Sequence, residues 1–206
     1  MNSNSDAIEL SGTGTQWPLA AYCAFFAAVM ELLWLGFYLS YWDGVRESMR
    51  NATPPPSSLQ LWLAIPVLAL PAQFAALWAV GLRRQHLAPV AARVGMWAPA
   101  AYILFGLLAM AAGAFRAEVG TNIFILPNVA LAVSFACLGW ASRGASEKWQ
   151  SLASAGLILV AVSITVFLAL RLSGLGPENP APWRGTLRSL LQFAMWVAVG
   201  LWLRRP

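Results

Sequence analysis

Six long apolar runs, each divided from the next by a short polar segment, constrain this chain more than any other feature. They fall at about 17–42, 59–82, 94–115, 121–141, 151–172 and 186–203. Each holds about 18–26 residues, which at about 1.5 Å per residue makes a helix of about 27–39 Å, enough to cross a hydrocarbon core of about 30 Å. The strands of a membrane barrel would alternate apolar and polar positions over about ten residues. These runs are apolar throughout. The expected fold is therefore all-α, a polytopic transmembrane helical bundle of about six spans.

Composition agrees. The chain is 59% hydrophobic and 10% charged, with a mean hydropathy of +0.64. A soluble domain carries about 25% charged residues, because water must wet its surface. The net charge of +5 comes from 13 Lys and Arg set singly or in pairs between the apolar runs. That is the pattern of loop charges facing phospholipid headgroups, so no nucleic-acid partner is expected.

Residues 1–16 form a polar N-terminal tail with Asp6 and Glu9 and no Lys or Arg. A secretory signal opens on basic residues and has a shorter apolar core. The first span is thus expected to be retained, and residues 17–206 to make a single transmembrane domain. Trp17, Trp42, Trp62, Trp78, Trp97, Trp140 and Trp202 fall near span ends, as interfacial anchors do. Trp34 and Trp196 lie deeper. With six spans both termini share one side. That side carries seven basic residues against six on the other, and Arg83-Arg84 and Arg204-Arg205 abut span ends there. The expected location is the cell membrane with both termini cytoplasmic.

Glu31 is the acidic residue deep inside a span. A charged group at helix centre costs about 2.5–3.5 kcal/mol on insertion scales, so it should turn away from lipid. Ala20, Ala24 and Ala28 form a row of small residues, and Ala27 and Glu31 continue the adjacent row toward Trp34, Leu35 and Tyr38. Small residues let membrane helices approach closely, so this face is expected to pack. On it Glu31 either accepts a proton, a cation or a ligand, or is a hydrogen-bonded structural group.

The candidate ligand- or proton-binding set is Glu31, Tyr38, Gln73, Asn122, Asn128, Arg188 and Gln192. Gln73 follows Pro71 in the second span. Asn122 and Asn128 flank Pro127 in the fourth. Proline frees a backbone carbonyl that a nearby amide can satisfy. Arg188 and Gln192 share one face of the sixth helix, although Arg188 is near enough to the span end to snorkel toward headgroups.

Other chemistry has little support. His86 sits in a basic loop, and Lys148 lies outside the apolar runs. Cys23 and Cys137 have no C-x-x-C partner and read as inert thiols. No G-x-S-x-G, H-E-x-x-H or P-loop pattern occurs. No cofactor, metal ion or catalytic group is expected, and the reading leans away from an enzyme. The first expectation is a structural, assembly or regulatory membrane subunit. The second is a small-solute binding protein or transporter, proton-coupled through Glu31. The third, weakest for want of acid–base pairs, is an enzyme acting on lipid or quinone. The partners expected are the bilayer and a second copy of the chain or another membrane subunit.

Overall fold

The computed structural model describes residues 16–40, 57–115, 125–144, 147–173 and 182–205. Among these residues there are six α-helices and no strand: α1 Gln16–Ser40, α2 Ser57–Arg84, α3 Pro89–Phe115, α4 Ile125–Ala141, α5 Lys148–Leu172 and α6 Pro182–Leu203. Three of them, α1, α5 and α6, are long and apolar enough to cross a bilayer, and α4 is an apolar helix of 17 residues. They mark the chain as a membrane protein. The tail before residue 16, the proline-rich segment 41–56, the turn at 116–120, Asn122 and the loop at 174–181 lie outside the described residues.

Each helix packs on its chain neighbours, and α6 returns to pack along α1, so the six close into a ring. The α2 helix leans inward and also touches α4 and α6. The pairs α2–α3, α4–α5 and α6–α1 run antiparallel. Across α2 and α3, Phe74 meets Tyr102 and Trp78 meets Trp97. Across α6 and α1, Gly200 lies under the Phe25 ring and Gly185 under Tyr38.

Small residues set these close approaches. Ala20, Ala21, Ala24, Ala27 and Ala28 of α1 are all buried, in one cluster with Ala76, Leu77 and Val80 of α2 and Trp196, Val199 and Trp202 of α6. The alanine face read from the sequence is therefore a packing face. Between α3 and α4 and between α4 and α5, a serine hydroxyl on one helix donates to a glycine carbonyl on the next. Ser134 Oγ reaches Gly95 O at 2.7 Å, and Ser154 Oγ reaches Gly139 O at 2.7 Å. Such bonds form where the absent glycine side chain lets two backbones meet. The outward faces are apolar. Leu19, Tyr22, Phe26 and Val29 on α1, and Val162, Val166 and Phe167 on α5, are exposed. Lipid, rather than water, suits such a surface.

Charge collects at one end of the bundle, where α2, α4 and α6 finish and α3 and α5 begin. Arg83 Nη1 donates to the carbonyls of Trp202 (2.9 Å) and Arg205 (3.0 Å). The guanidinium groups of Arg83 and Arg84 both lie over the Trp202 ring. Arg205 pairs with Glu147 at 3.5 Å.

Two expectations need correcting here. The turn between the second and third spans is shorter than the sequence suggested. The α2 helix continues through Arg84 and α3 begins at Pro89, leaving residues 85–88 between them. A helix does not stop where its apolar run stops, and proline is well suited to a first helical position. Trp202 is not an interfacial anchor either: it is fully buried. The indole fills the core beneath two arginines, whose charges take the interfacial position instead. Trp78, Trp97 and Trp140 are exposed, as anchors should be.

Candidate functional site: a polar cluster inside the bundle

Glu31 follows Gln16 by 15 residues and precedes Ser40 by 9. At about 1.5 Å per residue it stands about 22 Å from one end of α1 and about 14 Å from the other. The preceding turn, Ala27 and Ala28, is buried, which draws the partly buried carboxyl toward the neighbouring helices rather than outward. There Gln73 Nε2 of α2 donates to Glu31 Oε1 at 3.4 Å. Gln73 itself is buried. The bond is long, so it orients the two groups more than it binds them.

Two further helices supply groups. Arg188 of α6 interacts electrostatically with both Glu31 and Tyr102. Tyr102 lies on α3 and is held edge-on by Phe74, the residue after Gln73, with ring centroids 6.2 Å apart. A carboxyl, an amide, a phenol and a guanidinium from four helices thus converge at one level. One formal negative charge meets one positive, so the cluster is neutral as a whole.

The candidate residues divide accordingly. Glu31, Gln73 and Arg188 come together. Gln192 stands level with Glu31, because Gly200 opposite Phe25 and Gly185 opposite Tyr38 fix the α1–α6 register. Among the described residues its amide makes no side-chain hydrogen bond. Asn128 stands on α4 near the level of Tyr102, as the bond from Ser134 to Gly95 sets that register. Tyr38 lies two turns beyond Glu31, over Gly185 and beside Trp34. Asn122 lies outside the described residues.

Arg188 overturns one expectation. The residue is half-buried beside buried Ser189, and its guanidinium lies among the helices, in electrostatic reach of Glu31, rather than out toward headgroups. The carboxyl of Glu31 supplies the reason: a guanidinium this deep is stabilised by an opposite charge that a snorkelling side chain would give up. Tyr102 was missed in the sequence. Its signal was a lone phenol inside the apolar run 94–115, a hydroxyl that needs a partner once buried.

Trp196 lies one turn beyond Gln192 on α6. It is fully buried against Phe135, and its Nε1 makes no hydrogen bond among the described residues. Among the described residues no group of three His, Cys, Asp or Glu comes together that could hold a metal ion. No protein-family model matches the chain, no curated protein resembles it in sequence, and no solved structure matches its fold.

Proposed function

We propose that the chain is a six-span protein of the cell membrane and that its interior cluster ties the helices together, as in a structural, assembly or regulatory membrane subunit. The support for six spans is length and connection. The α2 and α3 helices have 28 and 27 residues, longer than any of the three that qualify on hydropathy, and lie antiparallel in the same ring. Residues 17–206 then form one transmembrane domain. Both termini are cytoplasmic in this reading. In this reading Arg188 leaves the basic tally of the opposite side because its guanidinium answers Glu31, so the difference between the sides widens to seven against five.

The observation that carries the role is the charge balance of the cluster. Glu31 has Gln73 at 3.4 Å and a compensating Arg188, all supplied by the chain itself. No ligand is required to neutralise it. Partners in this reading are the bilayer and another membrane subunit or a second copy.

A second reading, a small-solute binding protein or transporter coupled to protons through Glu31, is favoured by one detail. Among the described residues no direct ion pair ties Glu31 to Arg188, so neither charge is committed to the other. Glu31→Gln separates the two. A structural clamp predicts lower resistance to unfolding and unchanged proton movement in proteoliposomes. If Glu31→Gln leaves unfolding unaltered and abolishes solute-dependent proton uptake, the clamp is wrong and the transporter stands.

A further inference from the structure

The groove outside the bundle at the α4–α5 corner has no part in the cluster. It has a volume of about 460 Å³ and is lined at one end by Ser142, Arg143 and Ser151, and along α5 by Ala155, Ile158 and Leu159. Its polar end lies at the charged end of the bundle. Its other end runs down α5, one of the helices apolar enough to cross a bilayer. From this arrangement we infer that the groove is a binding site for an anionic phospholipid, with the phosphate at Arg143 and an acyl chain along α5.

Three observations combine at the polar end. Ser142 is fully buried, lines the groove, and its hydroxyl makes no hydrogen bond among the described residues. A buried hydroxyl without a partner costs about 1–3 kcal/mol, and a phosphate oxygen would satisfy it. Arg143 is exposed and its guanidinium lies over the Trp140 ring, 4.4 Å from the centroid. That contact sets a guanidinium beside an exposed tryptophan, at the depth where headgroups lie. The first turn of α5 opens here, with the positive end of its helix dipole and exposed Lys148. The nearest acid, Glu147, faces Arg205 at 3.5 Å, which offsets its charge.

The apolar end decides between a lipid and a free anion. Ser151, Ala155 and Leu159 recur every four residues on one stripe of α5, and the stripe leaves the polar end for a face that carries exposed Val162 and Val166. The occupant that matches this gradient has an anionic head and a hydrocarbon tail. The phosphate accepts from Arg143 and Ser142, and the tail covers Ala155, Ile158 and Leu159.

The test is binding of dioctanoyl phosphatidylglycerol and dioctanoyl phosphatidylcholine to the purified chain in detergent, read by native mass spectrometry. Both lipids carry the phosphate, but only phosphatidylcholine brings a quaternary ammonium beside Arg143 and Lys148, so the site predicts phosphatidylglycerol bound at least about ten-fold tighter. Arg143→Gln should remove that preference. Ala155→Trp should block the tail and weaken both lipids, with every charge at the polar end intact. Arg93→Gln, an exposed arginine at the same end of the bundle on α3, should change nothing. Equal binding of the two lipids overturns the proposal. So does displacement of lipid by inorganic phosphate, or an equal loss in Arg93→Gln and Arg143→Gln. If Ala155→Trp does not fold, the contrast between Arg143→Gln and Arg93→Gln decides.

Discussion

Gly139→Ala, set against Gly36→Ala, tests the helix packing with a single methyl group. A Cβ at Gly139 would stand 2.7 Å from Ile158 Cγ1, 3.1 Å from the Ser154 carbonyl oxygen and 3.2 Å from the Ile158 nitrogen. The side chain can rotate, but the two backbone atoms cannot move unless α5 moves. Carbon contacts settle at about 3.5–4.0 Å, so the helices must separate by several tenths of an ångström. Overpacking of this kind costs about 1–3 kcal/mol. Separation also stretches the 2.7 Å bond from Ser154 to Gly139, which within a membrane is worth about 0.6 kcal/mol. Alanine recovers about 1 kcal/mol of helix propensity over glycine. The net expectation for Gly139→Ala is a loss of about 1–2 kcal/mol. A Cβ at Gly36 meets nothing within 4 Å, so that variant should be neutral or more stable by up to about 1 kcal/mol. Both are read by reversible unfolding in mixed micelles with increasing dodecyl sulfate. Equal shifts in the two variants would refute the close approach of α4 and α5.

Other consequences follow from the charged end and the ring. Arg83→Ala removes two bonds to the α6 terminus, so amide exchange at residues 202–205 should quicken about ten-fold, while Arg93→Ala leaves it unchanged. Trp202→Ala should cost about 3–5 kcal/mol in the same unfolding assay, as for a buried aromatic, and Trp140→Ala less than about 1 kcal/mol. Six spans with cytoplasmic termini predict that a single cysteine at Arg204 reacts with impermeant maleimide only from the cytoplasmic side. One at Ser40 should react only from the opposite side, after Cys23 and Cys137 are replaced by serine. Labelling of both from one side would rule out that topology.

Much of the fold could be read from the chain, and the reasons are specific. Apolar runs of helix-spanning length report α-helices in lipid because the backbone must satisfy itself there. The alanines at 20, 24 and 28 report a packing face because only small residues tolerate one. Glu31 and Gln73 stood out as candidates because polar groups deep in apolar runs have few places to go. The direction of Arg188 was not legible. Near a span end a long side chain can turn either way, and only the register of α6 on α1 brings Glu31 within its reach. Tyr102 and Trp202 were obscured in the same way. A tyrosine or tryptophan in an apolar run serves as well in a core as at an interface, and tertiary packing decides between them. The groove at Arg143 depends on two helices meeting at a turn, which no single stretch of sequence records.

The central claim is that Glu31 and Arg188 act on each other inside the bundle. A double-mutant cycle of Glu31→Gln and Arg188→Gln, read by unfolding in mixed micelles, measures it directly. Each single variant leaves one charge uncompensated among apolar helices, whereas the double variant leaves none. The cycle should therefore show a favourable coupling of about 0.5–3 kcal/mol, with the double variant less destabilised than the sum of the two. Additive losses would contradict the account and separate the two residues in the folded protein.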